Sequence, residues 1–294
     1  NVKFKLLRAK DYGVPQNRPR ILIIGIKKDL VSNKSDEKDA LKAGFLPEPT
    51  NDYPNIEDIF SDLIDSKFQY GGETLTYKKD ATNPLQEEFR RNPRGKKSIY
   101  LKGDPVTEQE YSKHSEPVRE RFHQMIKNNG VIPDNLKTKK FAQRLLTSTW
   151  GEKGPSITAC SLPDDFVHYK QARTPTVREC ARAQTFPDWY QFAGKRTTGG
   201  IRRAGNPREN IFEREVPKYT QIGNAVPVKL AYEIGNLLLN ILIVSSIILF
   251  LSCIDFKSFS KIFDFLESIF SFSVIFISFF TAASLKEEFS KISF

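Results

Sequence analysis

Three arrays of side chains have the types and spacing to do chemistry. Gln16, Arg18 and Arg20 alternate through Gly13-Val14-Pro15-Gln16-Asn17-Arg18-Pro19-Arg20, immediately before the apolar run Ile21-Leu22-Ile23-Ile24. Residues two apart on an extended chain project to one side, so the spacing predicts two guanidiniums and a carboxamide facing the same way at a strand entrance. Such a set of forked donors suits phosphate oxygens and the edge of a nucleobase. The plainer reading is an exposed basic strand end. Gly223-Asn224-Ala225-Val226 places small residues and a carboxamide before an apolar helix, where backbone can approach a ligand and N–H groups stand free. Its plainer reading is a turn with Asn224 as helix N-cap. In the third array, Arg178 and Arg182 are four residues apart on one helix face with Glu179 beside them, which reads as structural; Cys180 on that helix reads as a packed small residue rather than a nucleophile.

These arrays sit inside three longer segments, in order. The first is Gly13 to Arg20. The second is Arg173-Thr-Pro-Thr-Val-Arg178-Glu179-Cys-Ala-Arg182-Ala-Gln184-Thr-Phe186-Pro187-Asp188. The third is Tyr219-Thr-Gln221-Ile-Gly223-Asn224-Ala225-Val226-Pro227-Val228. Together they resemble the eighth, ninth and tenth sequence motifs of the DNA cytosine-5 methyltransferases. The resemblance touches about 45 residues and frames residues 1–240. It implies that Arg20 reaches the carbonyl of an extruded cytosine, with Gln16 and Arg18 as supports that also touch DNA backbone. It implies that Asn224, Ala225 and Val226 lie against S-adenosyl-L-methionine, and that the helix near Arg178 organises a target-recognition domain. Gly154-Pro155-Ser156-Ile157-Thr158 and Phe166-Val167-His168 resemble the family's approach to its ninth motif.

Other parts of the family's machinery are missing from the sequence. The reaction needs a thiolate that adds to the base, an acid beside it and an extruded cytosine; the family draws the thiol from a Pro-Cys dipeptide and the acid from Glu-Asn-Val. Cys160, Cys180 and Cys253 follow Ala159, Glu179 and Ser252. Glu209-Asn210 continues into Ile211 and stands at the wrong place in the motif order. No Gly-x-Gly-x-x-Gly turn is present. The expectation is a chain that cannot run the reaction alone, either truncated or one half of an enzyme made in two pieces, whose partner is an N-terminal methyltransferase half. The start at Asn1 without Met favours truncation.

The elements that must position these residues follow from length and pattern. With 294 residues and 39% hydrophobic content the chain has enough apolar material for one large domain or two ordinary ones. Ile21 to Ile26 reads as a strand buried on both faces, as in a parallel sheet. Helices are expected near 56–65, near 115–128 with Ser115 as cap and Val118, Phe122, Met125 and Ile126 on one face, and over 177–184 with Thr176 as cap and Pro187 beyond its end. The fold class is α/β: the C-terminal part of a Rossmann-like methyltransferase plus a smaller mixed target-recognition domain. The expected divisions are 1–30 for the end of the catalytic sheet, 31–218 for target recognition, 219–239 for the returning segment and 240–294 for a hydrophobic tail.

Charge supports a polyanion partner, double-stranded DNA. The net charge is +10, and residues 236–294 hold four lysines against five carboxylates, so the remainder carries +11. Three scattered cysteines without a Cys-x-x-Cys pair exclude a disulfide framework or a zinc site and suit the reducing cytoplasm. In the tail, 237–254 and 268–285 are uncharged, long enough at the lower bound to span a bilayer. Three readings of it stay open: membrane association through 237–285, a helical extension, or translation of an unrelated reading frame. The alternative to an enzyme is a non-catalytic DNA-binding or specificity subunit.

Overall fold

The computed structural model describes residues 2–26, 38–93, 95–138, 143–147, 154, 156–158, 165–197, 207–210, 212 and 215–252, with side chains as far as Ile243. Asn1–Ile26 and Ser35–Leu238 form one compact unit, so the divisions expected at 30 and 218 lie within or beside a single body. A second unit holds Lys27–Lys34 and Leu239–Phe294, most of which lies outside the described residues.

The chain begins with a hairpin. Val2–Arg8 (β1) pairs antiparallel with Pro19–Gly25 (β2), Phe4 opposite Ile23 and Leu6 opposite Ile21. Between them Gly13 adopts φ 70°, and a Cβ there would stand 2.7 Å from Lys229 Nζ, so glycine suits both the turn and the close approach. The expectation of a strand buried on both faces is corrected here. Ile24 is buried, yet Ile21 and Ile23 are 70% and 67% exposed, and Val2, Phe4 and Leu6 continue the same uncovered apolar face. Among the described residues β2 has β1 as its one strand neighbour.

Short helices carry the core. Ile56–Phe60 (α1) starts with a capping box between Asn55 and Asp58 and passes into a 3-10 turn at Ser61–Leu63. Pro84–Arg90 (α2) is capped by Asn83, whose side chain accepts from Gln86 N. Glu116–Lys127 (α3) buries Phe122 and Met125 as its spacing predicts, though the Ser115 side chain makes no capping hydrogen bond. Arg144–Leu145 (β3) and Phe166–Val167 (β4) make a two-residue parallel pair.

Val177–Ala183 (α4) is the hub. Thr176 accepts from Glu179 N while Glu179 returns a bond to Thr176 N, a reciprocal cap that satisfies two otherwise free donors. The helix stops where Gln184 caps it and Thr185 turns to φ 59° ahead of Pro187. Val177, Cys180 and Ala181 pack with Ile56, Ile59, Phe60, Phe89, Tyr219 and Ile222 in the largest core cluster. Cys180 is a buried free thiol in that packing.

Lys218–Asn224 (α5) packs on α4, and after Pro227 the helix Val228–Ser252 (α6) begins. Asn224 is therefore the last residue of α5 rather than the N-cap of α6, because Ala225 N closes back on Gln221 O and Ile222 O. By length and composition one described stretch, Lys218–Ile243, is apolar enough to cross a membrane. The run 268–285 lies outside the described residues.

Candidate functional site

Four segments far apart in sequence meet at one junction. Gln16 is fully buried; its Nε2 donates to Ala183 O at the end of α4 (2.8 Å), and its Oε1 accepts from Ile157 N (3.0 Å). Arg18 is 4% exposed, donating through Nη1 to Ile157 O (2.6 Å) and through Nη2 to Gly223 O near the end of α5. Ser156 Oγ donates to Asn17 O. Gln184 closes the circuit: its Nε2 donates to Ile222 O (2.8 Å), while its backbone O accepts from Val228 N. Lys229 N donates to Thr185 Oγ1.

The expected common face for Gln16, Arg18 and Arg20 is corrected by this geometry. Gln16 and Arg18 precede β2 in a tight turn, where Gln16 N bonds to Val14 O and Arg18 N to Gln16 O. That curvature turns both side chains inward onto main-chain carbonyls. Only Arg20, on β2, stays partly exposed, with Nη1 on its neighbour's Pro19 O (2.8 Å). Among the described residues Arg18 has no carboxylate partner, and its Nε is buried without a hydrogen bond. Burial, reinforced by the nearby Arg20 charge, pulls the Arg18 pKa down to about 10.

The turn after α5 is open where a ligand needs it. Asn224 is exposed, Val226 is 53% exposed and Ala225 is half-buried. The Asn224 side chain makes no hydrogen bond among the described residues, so the carboxamide is available. Arg18 thus brings the entrance of β2 and this turn together across 205 residues of sequence.

Two buried charge networks hold the ninth-motif helix beneath the junction. In one, Arg182 sits between Asp62 (2.6 Å) and Asp188 (2.6 Å), Arg90 adds a second cation on Asp62 (2.7 Å), and Tyr77 OH donates to Asp188 (2.6 Å); all five side chains are buried. Burial by itself would lower the Arg182 pKa and raise that of Asp188, but the opposite charges win and keep both ionised. In the other, Arg173 grips both oxygens of Glu179 (2.8 and 2.6 Å) and the Gln171 carbonyl. Desolvation works against the Glu179 carboxylate, yet Arg173 and the capping bonds hold its pKa at about 2. Desolvation and the Arg173 charge push His168 down to about 3, which leaves it neutral with Nδ1 accepting from Lys170 N and Gln171 N.

Sequence reasoning reached Arg178 and Arg182 as structural residues, and both are fully buried. It missed Asp62, Arg90, Tyr77, Gln184, Thr185 and Lys229. A weak signal existed for Gln184, which is an uncharged amide directly after the helix.

The fold, the order of the segments and the junction define a class, and comparison with known proteins gives the same class. The C-5 cytosine-specific DNA methylase family matches residues 1–240, and the chain belongs to that family. It is 30% identical over 250 residues to the Type II methyltransferase M.DdeI of Desulfomicrobium norvegicum, across 80% of this chain and 54% of that protein. With M.BsuRI of Bacillus subtilis the identity is 27%, across 81% of this chain and 42% of the other. A crystal structure described as a DNA modification methyltransferase encoded within an E. coli prophage aligns with a TM-score of 0.54 and 21% identity, across 82% of this chain and 61% of that one. The chain therefore has the α/β methyltransferase fold and spans about half the length of the curated relatives it matches.

Proposed function

We propose that this chain is the C-terminal portion of a DNA (cytosine-5-)-methyltransferase of a restriction–modification system, acting in the cytoplasm on a specific duplex sequence. The observation that carries the proposal is the Arg18 clamp, which sets the entrance of β2 beside the turn at Gly223–Val226. Arg20 is the guanidinium offered to the cytosine carbonyl. Gln16 and Arg18 support it by fixing its loop to Ile157, Ala183 and Gly223, since donors locked on buried carbonyls keep a loop in one geometry.

The turn fits S-adenosyl-L-methionine in its chemistry: an unengaged carboxamide at Asn224, an apolar side chain at Val226 and little bulk at Ala225. When bound, that cofactor supplies an electrophilic methyl group. This chain's residues hold one wall of its pocket; the nucleophilic thiol, the acid and the remaining wall belong to an upstream half.

The uncovered face of the hairpin supports docking of that half. Val2, Phe4, Leu6, Ile21 and Ile23 are each more than half exposed on one side, and contiguous apolar surface of this kind marks an interface. A strand with an open edge is also a template for further pairing.

The experiment is co-expression with the N-terminal segment of M.DdeI that this chain does not match, followed by measurement of 5-methylcytosine in host DNA. Methylation only when both pieces are present is the expected result. A co-purifying pair that binds DNA without methylating it supports a non-catalytic DNA-binding subunit instead.

A further inference from the structure

Three segments of the region between β2 and α4 form a basic platform whose underside is tied to the hub. Residues 73–80 run against 100–110, with Tyr77 N donating to Asp104 O and Gly103 N to Tyr77 O. Arg91 bridges Ile99, and Asn92 N donates to Ser98 O, which closes a tight loop over 92–98. In that loop a Cβ on Gly95 would stand 2.1 Å from Asn92 Nδ2, the atom that donates to Tyr100 OH. Two cross-links join the segments: Arg90 Nη2 donates to Lys79 O (2.9 Å), and Lys102 N donates to Asp80 Oδ1 (3.0 Å).

The upper surface of this platform carries six exposed cations: Lys78, Lys79, Arg91, Lys96, Lys97 and Lys102. Its two carboxylates are already engaged. Asp80 holds Lys102 N, while Asp104 holds Leu101 N and pairs with Lys97. Glu87 and Glu88 belong to the preceding helix α2. Underneath, the Arg90 guanidinium lies 4.0 Å over the Tyr77 ring, and Tyr77 OH reaches Asp188, which also grips Arg182 of α4. The cations therefore stand on a floor locked into the same buried network that holds the ninth-motif helix.

We infer that this platform, with the 92–98 loop as its tip, is the surface that grips the phosphate backbone of duplex DNA. The inference rests on the reading above and gives it a location. Cations spread over a firm floor with their own carboxylates occupied cost little reorganisation when counterions leave. Each phosphate neutralised releases about one counterion, which makes binding steeply salt-dependent. A two-stranded loop also has the dimensions to follow a groove.

The test uses the full chain and a fluorescent 30-base-pair duplex of about that length, with affinity measured between about 50 and 200 mM salt. The variant Lys78→Ala/Lys79→Ala/Lys96→Ala/Lys102→Ala is compared with Lys42→Ala/Lys67→Ala/Lys127→Ala/Lys170→Ala, which removes equal charge from exposed lysines elsewhere. The platform variant is expected to bind at least about 10-fold more weakly, with a log–log salt slope shallower by about 2 to 3. The second variant should stay near wild type. A Lys→Arg version at the four platform positions should restore both affinity and slope, which a purely structural role of the loop does not explain. Equal weakening by both alanine sets, or wild-type slope in the platform variant, overturns the inference while leaving the family reading intact. Absence of duplex binding by the wild-type chain at low salt counts against the DNA reading itself.

Discussion

Arg18 decides more of this structure than its type suggests. A buried guanidinium with no carboxylate is costly unless its donors are used, and here two nitrogens are spent on main-chain carbonyls of Ile157 and Gly223. Arg18→Met leaves those carbonyls unsatisfied and is expected to destabilise the fold by about 2–4 kcal/mol in urea denaturation. Arg20→Ala, at a half-exposed position, should change stability by less than about 0.5 kcal/mol. Nothing in the sequence distinguished these neighbours, because the partners of Gln16 and Arg18 are backbone atoms and leave no mark in residue type. Acid sensitivity belongs to this scale too. Glu179 is held at about 2, so the stability it contributes is present above the unfolded carboxylate range and lost as pH falls toward 2. His168 is held neutral, while the unfolded chain takes a proton below about 6.5, so its effect has the same sign: stability falls as pH drops from there toward 3. Urea midpoints should decline across that window. His168→Asn, which retains an acceptor near the Nδ1 position, should flatten the upper part of the decline; an unchanged profile would show that His168 contributes nothing to it.

Among the elements, α4 was legible and β2 was misread, for opposite reasons. The α4 signals are local: Thr176 with Glu179 three residues on, then Pro187, are capping and stopping chemistry that works without tertiary context. Its two arginines at helical spacing were correctly read as structural, but their carboxylates lie up to 120 residues away at Asp62 and could not be paired from sequence. The run Ile21 to Ile26 looked doubly buried because every residue is apolar or glycine, whereas the hairpin covers one side only. The β1 strand went unread although Val2, Phe4 and Leu6 alternate with Lys3, Lys5 and Leu7, a period-2 pattern. Arg182→Met tests the hub. It leaves Asp188 buried without its strongest cation and weakens the hold on Asp62, a loss expected to cost about 3–5 kcal/mol. A change below about 1 kcal/mol in thermal or urea unfolding would show that Arg90, Arg178 and Tyr77 suffice.

For the molecule as a whole, the ordered segments made the family legible while the pocket walls were not. Residues 16–20, 177–184 and 223–226 are separated by long stretches of ordinary sequence, yet the fold joins them through four main-chain carbonyls, those of Ile157, Ala183, Ile222 and Gly223. The apolar side of the hairpin carries a matching expectation. Ile21→Lys/Ile23→Lys, at exposed positions, should leave the thermal unfolding of this chain unchanged and abolish its co-purification with the upstream segment. Retained co-purification would place the docking surface elsewhere.

The most direct measurement of the central claim is single-turnover methyl transfer by the reconstituted pair carrying Arg20→Ala, with duplex affinity measured on the same preparation. The account predicts a rate at least about 100-fold below wild type, the usual cost of losing one aligned donor at a reacting group, and a DNA dissociation constant within about 10-fold. Wild-type turnover in that variant contradicts it, because the guanidinium at the entrance of β2 would then have no part in handling the base.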